Sequence, residues 1–152
     1  MLTHDLMTQE VEMCTFEDTA QQAASIMSRR NCGFVPVVLD HETKILVAVL
    51  TDRDLVLFLS KTNRRPSEVK VGEFCTRFPK TVFANTEIHE VEELMKEYQI
   101  HRLPVIDNVG KIIGVISLKD LADEAWRDVN DFQPEVSERE IAEIVEVISR
   151  AR

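Results

Sequence analysis

The chain has 152 residues, 44% of them hydrophobic, and its 18 Lys and Arg against 27 Asp and Glu leave a net charge of −9. That is enough apolar material for a real core, and the acidity argues against nonspecific binding to nucleic acid or an anionic membrane. No stretch approaches the run of about 20 apolar residues that spans a bilayer, and the N-terminus lacks the basic and apolar regions of a signal peptide. Cys14, Cys32 and Cys75 are odd in number and widely spaced, which fits buried thiols in a reducing cytoplasm better than a disulfide framework or a zinc site.

Residues 3–8 read as a short, acidic helical entry, and Val11 to Phe16 as a first strand. Ala20 to Met27 has high helix propensity, with Ala20, Ala23, Ala24 and Met27 at helical spacing, and Asn31-Cys32-Gly33 ends that helix. Phe34–Leu39 and Ile45–Leu50 are two apolar runs about a polar turn, which predicts a hairpin. A helix follows over Leu55–Ser60, so apolar that burial on most sides is expected. Lys61–Ser67 is a polar linker, and its Arg64-Arg65 pair reads as a solvated loop in an acidic protein.

The second half begins at Val71. Asn85 or Thr86 is placed to cap a helix whose apolar face is Ile88, Val91, Leu94 and Met95. Its early glutamates, Glu87, Glu90, Glu92 and Glu93, suit the positive end of the helix dipole. Two further apolar runs, Ile100–Ile106 and Gly114–Ile116, lead into a last helix of this half that carries Trp126, expected in the core. A proline inside a strand points to a sheet edge or a strand start for Pro104. After a break over Asp131–Pro134, Ser137-Glu138-Arg139-Glu140 forms a capping box. The helix it opens has Ile141, Ile144, Val145 and Ile148 on one stripe, which must bury itself on this chain or on a partner.

The two halves match. Phe34-Val35-Pro36-Val37-Val38 parallels Arg102-Leu103-Pro104-Val105-Ile106, displaced by 68 residues (36 to 104). Ala48 to Leu55, containing Thr51-Asp52-Arg53-Asp54, parallels Gly114 to Leu121, containing Ser117-Leu118-Lys119-Asp120, displaced by 66 (54 to 120). The difference of two falls in the turn, where insertions are tolerated. The boundaries read as repeat one over 1–62, a linker over 63–70, repeat two over 71–128, and a linker with the added helix over 129–152.

A hydrophobic-Pro-Val strand followed by Thr/Ser-x-x-Asp, twice and in order, resembles the cystathionine-beta-synthase (CBS) domain, and the tandem resembles a CBS pair, or Bateman module. The resemblance implies an α/β (α+β) fold of two pseudo-symmetric β-α-β-β-α repeats, here with an added C-terminal amphipathic helix. It implies two clefts that take a regulatory ligand, an adenine nucleotide (AMP, ADP or ATP) or S-adenosylmethionine, and a homodimer. In the family the aspartate of the motif takes the ribose hydroxyls and the Thr or Ser caps the helix near the phosphate. Those roles transfer to Asp54 with Thr51, and to Asp120 with Ser117. On the residues alone, the alternative reading is that Thr and Ser are helix caps and nothing more, with the aspartate in the first turn.

The resemblance also implies that each cleft draws on both repeats. Cleft one then combines Thr51, Arg53 and Asp54 with Lys80, Thr81, His101, Arg102 and the Pro104 strand. Cleft two combines Ser117, Lys119 and Asp120 with Val11, Glu12, Met13, Gly33, Phe34 and Val35. Arg53, Lys80 and Arg102 make cleft one the cationic one, suited to phosphate, although Ala48 stands where the family has glycine. No catalytic set is present: there is no Gly-x-Ser-x-Gly elbow and no Walker loop. The histidines His4, His41, His89 and His101 show no metal-ligand spacing. The expectation is a cytoplasmic regulatory module without catalytic cofactor, metal, nucleic acid or membrane, acting on a regulated protein that the sequence does not name. The alternative is an interaction scaffold with vestigial clefts that works through the helix at 137–150.

Overall fold

The computed structural model describes residues 1–127 and 136–150. The elements are α1 (Thr3–Leu6), β1 (Cys14–Thr15), α2 (Ala20–Arg30), β2 (Phe34–Val38), β3 (Leu46–Thr51), α3 (Asp52–Ser60), β4 (Thr76–Arg77), β5 (Val82–Phe83), α4 (Ile88–Tyr98), β6 (Arg102–Ile106), β7 (Ile112–Ser117), α5 (Leu118–Arg127) and α6 (Glu138–Arg150). The expected break over Asp131–Pro134 lies outside the described residues. Each half shows the predicted strand, helix, hairpin and helix, and α6 is the added C-terminal helix. Among the described residues, no helix is long and apolar enough to cross a membrane.

Two compact units divide the chain. The first-repeat unit holds residues 10–79 and 109–112, and the second-repeat unit holds 1–9, 80–108 and 113 onward. The leading segment of each repeat is therefore seated on the other repeat's fold. In the second-repeat unit Thr3 N–H donates to Thr86 O at 2.8 Å, His4 N–H to Ala84 O at 2.9 Å, and Ile88 N–H to Met1 O at 3.2 Å. The first-repeat unit repeats the pattern with Val71 N–H to Asp18 O at 2.8 Å, Gly72 N–H to Phe16 O at 3.0 Å, and Ala20 N–H to Val69 O at 2.8 Å. Thr8 bridges Val115 of β7 as Thr76 of β4 pairs with Val49 of β3. Buried backbone groups must find partners, and each leading segment supplies them to a sheet that its own repeat leaves short.

The first-repeat sheet runs β1-β2-β3-β4 and the second β5-β6-β7. Both proline strands are thus interior and Pro104 is the third residue of its strand, against the expectation of an edge or a strand start. The physical reason is the length of the flanking strand. Parallel β1 starts opposite Val37, one residue past Pro36, and β5 starts opposite Val105, one past Pro104. Each proline therefore sits beyond the end of its short neighbour, where a missing N–H leaves no broken ladder. β1 is also shorter than predicted, two residues instead of Val11–Phe16.

The first core gathers Cys14, Ala23, Met27, Val35, Val37, Ala48, Leu50 and Val71. The second gathers Ile88, Val91, Met95, Leu103, Val105, Ile116 and Leu121, with Val136, Ile144 and Ile148 from the C-terminal region. α2 is capped by Thr19, whose hydroxyl accepts from Gln22 N–H, and it ends on Asn31 in the left-handed region at φ 49°, as the Asn-Cys-Gly stop predicts. Neither Asn85 nor Thr86 caps α4; the N-cap is Glu87, and Thr86 Oγ1 instead accepts from Phe83 N–H at 3.1 Å.

Two expectations of burial fail. α3 buries no residue, with Val56 62% and Leu57 45% exposed, and Trp126 on α5 is 75% exposed. An apolar run records what the chain can bury, not what its neighbours cover. The α6 stripe is covered within its own unit: Ile144 and Ile148 are buried against α4 and α5, Ile141 is half-buried, and Val145 turns outward.

Gly114 shows why the repeats differ at one position. A Cβ there would lie 2.7 Å from Met7 Sδ and 3.0 Å from Thr8 O. Thr8 is pinned by reciprocal 2.9 Å bonds with Val115 and cannot retreat. Gly114→Ala is therefore expected to cost roughly 1–3 kcal/mol, the usual range for overpacking. Urea denaturation measures it, and unchanged stability would mean that the leading segment is not seated there. The corresponding Ala48 methyl is fully buried in the first core.

Candidate functional site

The two Thr/Ser-x-x-Asp turns fold alike. At the start of α3, Thr51 N–H donates to Asp54 Oδ2 at 2.9 Å, the Thr51 hydroxyl donates to the same oxygen at 2.8 Å, and Asp54 N–H returns to Thr51 Oγ1 at 3.1 Å. At α5, Ser117 N–H and its hydroxyl donate to Asp120 Oδ2 at 2.8 and 2.6 Å, and Asp120 N–H returns to Ser117 Oγ at 3.3 Å. These are capping boxes, so helix capping by Thr51 and Ser117 holds in full. The cap uses Oδ2 alone in both. Oδ1 of each half-buried aspartate is the oxygen left to accept a ligand's hydroxyls.

Each turn abuts the start of the proline strand in its own unit. Asp52 N–H donates to Gly33 O at 3.1 Å, and Leu118 N–H to His101 O at 2.8 Å. This explains a second difference between repeats. A Cβ on Gly33 would meet the Asp52 carboxylate at 2.4 Å, so glycine goes with Asp52, and His101 with Leu118.

The remaining predicted residues distribute as follows. Thr51, Arg53, Asp54, Glu12, Met13, Phe34 and Val35 belong to the first-repeat unit. Lys80, Thr81, His101, Arg102, Pro104, Ser117, Lys119 and Asp120 belong to the second. The residues expected to share a cleft therefore come from different units, while each unit assembles its own turn with its own strand start. Val35 and Pro104 are buried and offer only backbone, whereas Arg53, Lys80 and His101 are exposed and Thr81 and Arg102 half-buried.

The charges are less free than the sequence implies. Lys80 Nζ lies 4.1 Å from the centroid of the Tyr98 ring, a cation–π contact that positions it. Glu12 is held by Arg29 at 3.0 Å and Arg30 at 3.6 Å, so its carboxylate is already neutralised. Lys119 pairs with Asp123, and that pairing raises its pKa. Arg64 of the linker is bound to Glu73 at 2.6 Å. Burial, with the Asp18 charge adding, pushes the Cys14 thiol up to about 12, which leaves it protonated and inert.

One group escaped the sequence reading. Glu92, read only as one of the early glutamates that suit the dipole of α4, is 1% exposed. Ile88, Val91, Glu92 and Met95 are the four buried residues of that helix, at i, i+3, i+4 and i+7. That periodicity was the available signal, and it places a carboxylate on the core stripe.

The CBS domain family model matches residues 4–61 and 71–127, in both halves. The chain belongs to the CBS domain family. The protein YlbB of Bacillus subtilis is 37% identical to this CBS pair over 118 residues, 78% of each chain. Among solved structures, CBSX2 of Arabidopsis thaliana in complex with AMP is 25% identical, with a TM-score of 0.71 over 83% of this chain and 96% of that one. A CBS domain protein of Thermoplasma acidophilum is 19% identical and shares the fold across 100% of this chain and 78% of its own, with a TM-score of 0.78. For the CBS pair this likeness supports a regulatory ligand-binding module and not a catalyst.

Proposed function

We propose that this CBS pair is a regulatory module that senses an adenine nucleotide or an adenosyl compound. The observation that carries the reading is the doubled capping turn, in which Asp54 and Asp120 each commit one carboxylate oxygen to the helix and keep the other. A carboxylate oxygen held beside a helix start can accept a ribose hydroxyl, and nearby cations answer a phosphate. CBSX2, solved with AMP, supports the ligand class. Titration calorimetry with AMP, ADP, ATP, S-adenosylmethionine and adenosine tests it, and no heat with any of them would overturn it.

Within that panel, Asp54→Asn is expected to weaken the AMP site that holds Arg53 by roughly 1.5–3 kcal/mol, the range for a charged hydrogen bond, and Asp120→Asn to leave it nearly unchanged. Asparagine keeps the cap, so the helix survives the test. Arg102→Ala is expected to weaken AMP while sparing adenosine, which has no phosphate for the guanidinium to meet. Whether Asp54 and Arg102 serve one ligand is decided by the double variant: losses that combine in one AMP affinity mean a shared site, and losses that fall on two different AMP affinities mean separate ones.

The scaffold alternative loses its main support, because the α6 stripe on which it depends is buried against α4 and α5. The homodimer remains part of the proposal on other grounds. α3 exposes Val56 and Leu57 on a helix with no buried residue, which suits a partner surface. Sedimentation of the purified chain is expected to give a dimer; a lone 17.4 kDa particle across micromolar concentrations would remove it.

A further inference from the structure

We infer that His89, Glu92 and Glu140 form a binding site for a divalent transition-metal ion, such as Zn²⁺, that ties α6 to α4 within the second-repeat unit. One ligand atom from each residue lies within 4.8 Å of the others, and His89 Nδ1 is 3.8 Å from Glu92 Oε2. Ligands around a tetrahedral zinc, with bonds of about 2.0–2.1 Å, sit roughly 3.4 Å apart, so a relative shift of up to about 1.4 Å closes the set.

Three observations favour an ion over a chance acidic cluster. First, Glu92 is 1% exposed, and its Oε1 is buried with no hydrogen-bond partner. A desolvated carboxylate of that kind calls for a cation. Second, Lys96, whose charge reaches Glu92 and Glu140, gives its hydrogen bond to Glu93 at 3.0 Å and lies 3.9 Å from Glu143. Third, Glu140 spends only Oε2 on its cap, accepting from Ser137 N–H at 2.9 Å and its hydroxyl at 2.6 Å.

The donor set names the ion class. One imidazole and two carboxylates suit zinc and its neighbours, whereas Mg²⁺ and Ca²⁺ prefer oxygen donors alone and more of them. His89 is 74% exposed in its side chain, which provides the entry path and leaves a coordination position for water. The residues come from two helices, so the ion would act as a staple holding the C-terminal helix in place.

The test uses the full chain after chelator treatment. Co²⁺ titration is expected to show one ion per chain with visible d–d absorption and no thiolate charge-transfer band. His89→Ala, a change at an exposed position, is expected to weaken binding at least about tenfold. Zn²⁺ is expected to raise the thermal midpoint of the unaltered chain and not that of His89→Ala. Glu140→Gln, which can keep the cap, is expected to behave like His89→Ala. Absence of saturable binding, equal affinity in His89→Ala, or a thiolate band would overturn the assignment.

Discussion

Ile144→Ala is expected to destabilise the protein by roughly 2–5 kcal/mol, as for other large-to-small changes in a packed core. Ile144 is fully buried and belongs to one cluster with Met95, Leu121 and Ile148. The loss combines the apolar surface no longer removed from water with the cavity left between α6 and the helices beneath it. Such a loss, read by chemical denaturation, would establish α6 as part of the second-repeat core. Val145→Ala is the control, because Val145 is 46% exposed on the same helix and its loss is expected within about 0.5 kcal/mol. Equal small effects from both would show that α6 is not packed in cis.

Glu92→Gln is expected to stabilise the chelated protein above neutral pH and to change it little near pH 4. Burial, reinforced by the Glu140 charge, pushes the Glu92 carboxyl from 4.5 up to about 7, with Lys96 and His89 opposing and Glu93 adding a smaller push. The native state therefore holds its proton more tightly than the unfolded chain. Below pH 4.5 both states are protonated and the group costs nothing. Between 4.5 and about 7 the unfolded chain releases a proton that the native state keeps, so stability falls as pH rises. The full loss, roughly 3 kcal/mol at about 1.4 kcal/mol per pH unit, is present above that window. Glutamine removes the charge but keeps a buried polar group, so a gain of about 1–3 kcal/mol at pH 8 is expected. Thermal melts across pH 4–8 measure it, and a flat difference between the two proteins would refute the burial argument.

Much of the fold was legible because it is written in local patterns and written twice. The alternation of apolar runs with polar turns marks the hairpins. Thr51 and Ser117 cap by chemistry that needs only three residues of context, and Asn31 ends α2 because asparagine tolerates a left-handed backbone. What was misread depends on neighbours distant in sequence. Trp126 and the α3 residues Val56 and Leu57 are apolar enough for a core but lie where nothing among the described residues covers them. Glu12 reads as a free acid until Arg29 and Arg30 are placed beside it. Pro104 reads as an edge or strand-start residue because sequence gives the proline but not the length of the strand next to it.

By itself the sequence determined the duplication, the family it resembles and the two capping turns, because these rest on residue identity at short spacing. Only the tertiary structure decided that the leading segment of each repeat completes the other repeat's sheet, that α6 buries its stripe in cis, and that Glu92 meets Glu140. Those outcomes are set by which backbone groups and apolar faces remain unsatisfied after local folding. A chain satisfies them with whatever segment its topology brings near, however far away that segment lies in sequence.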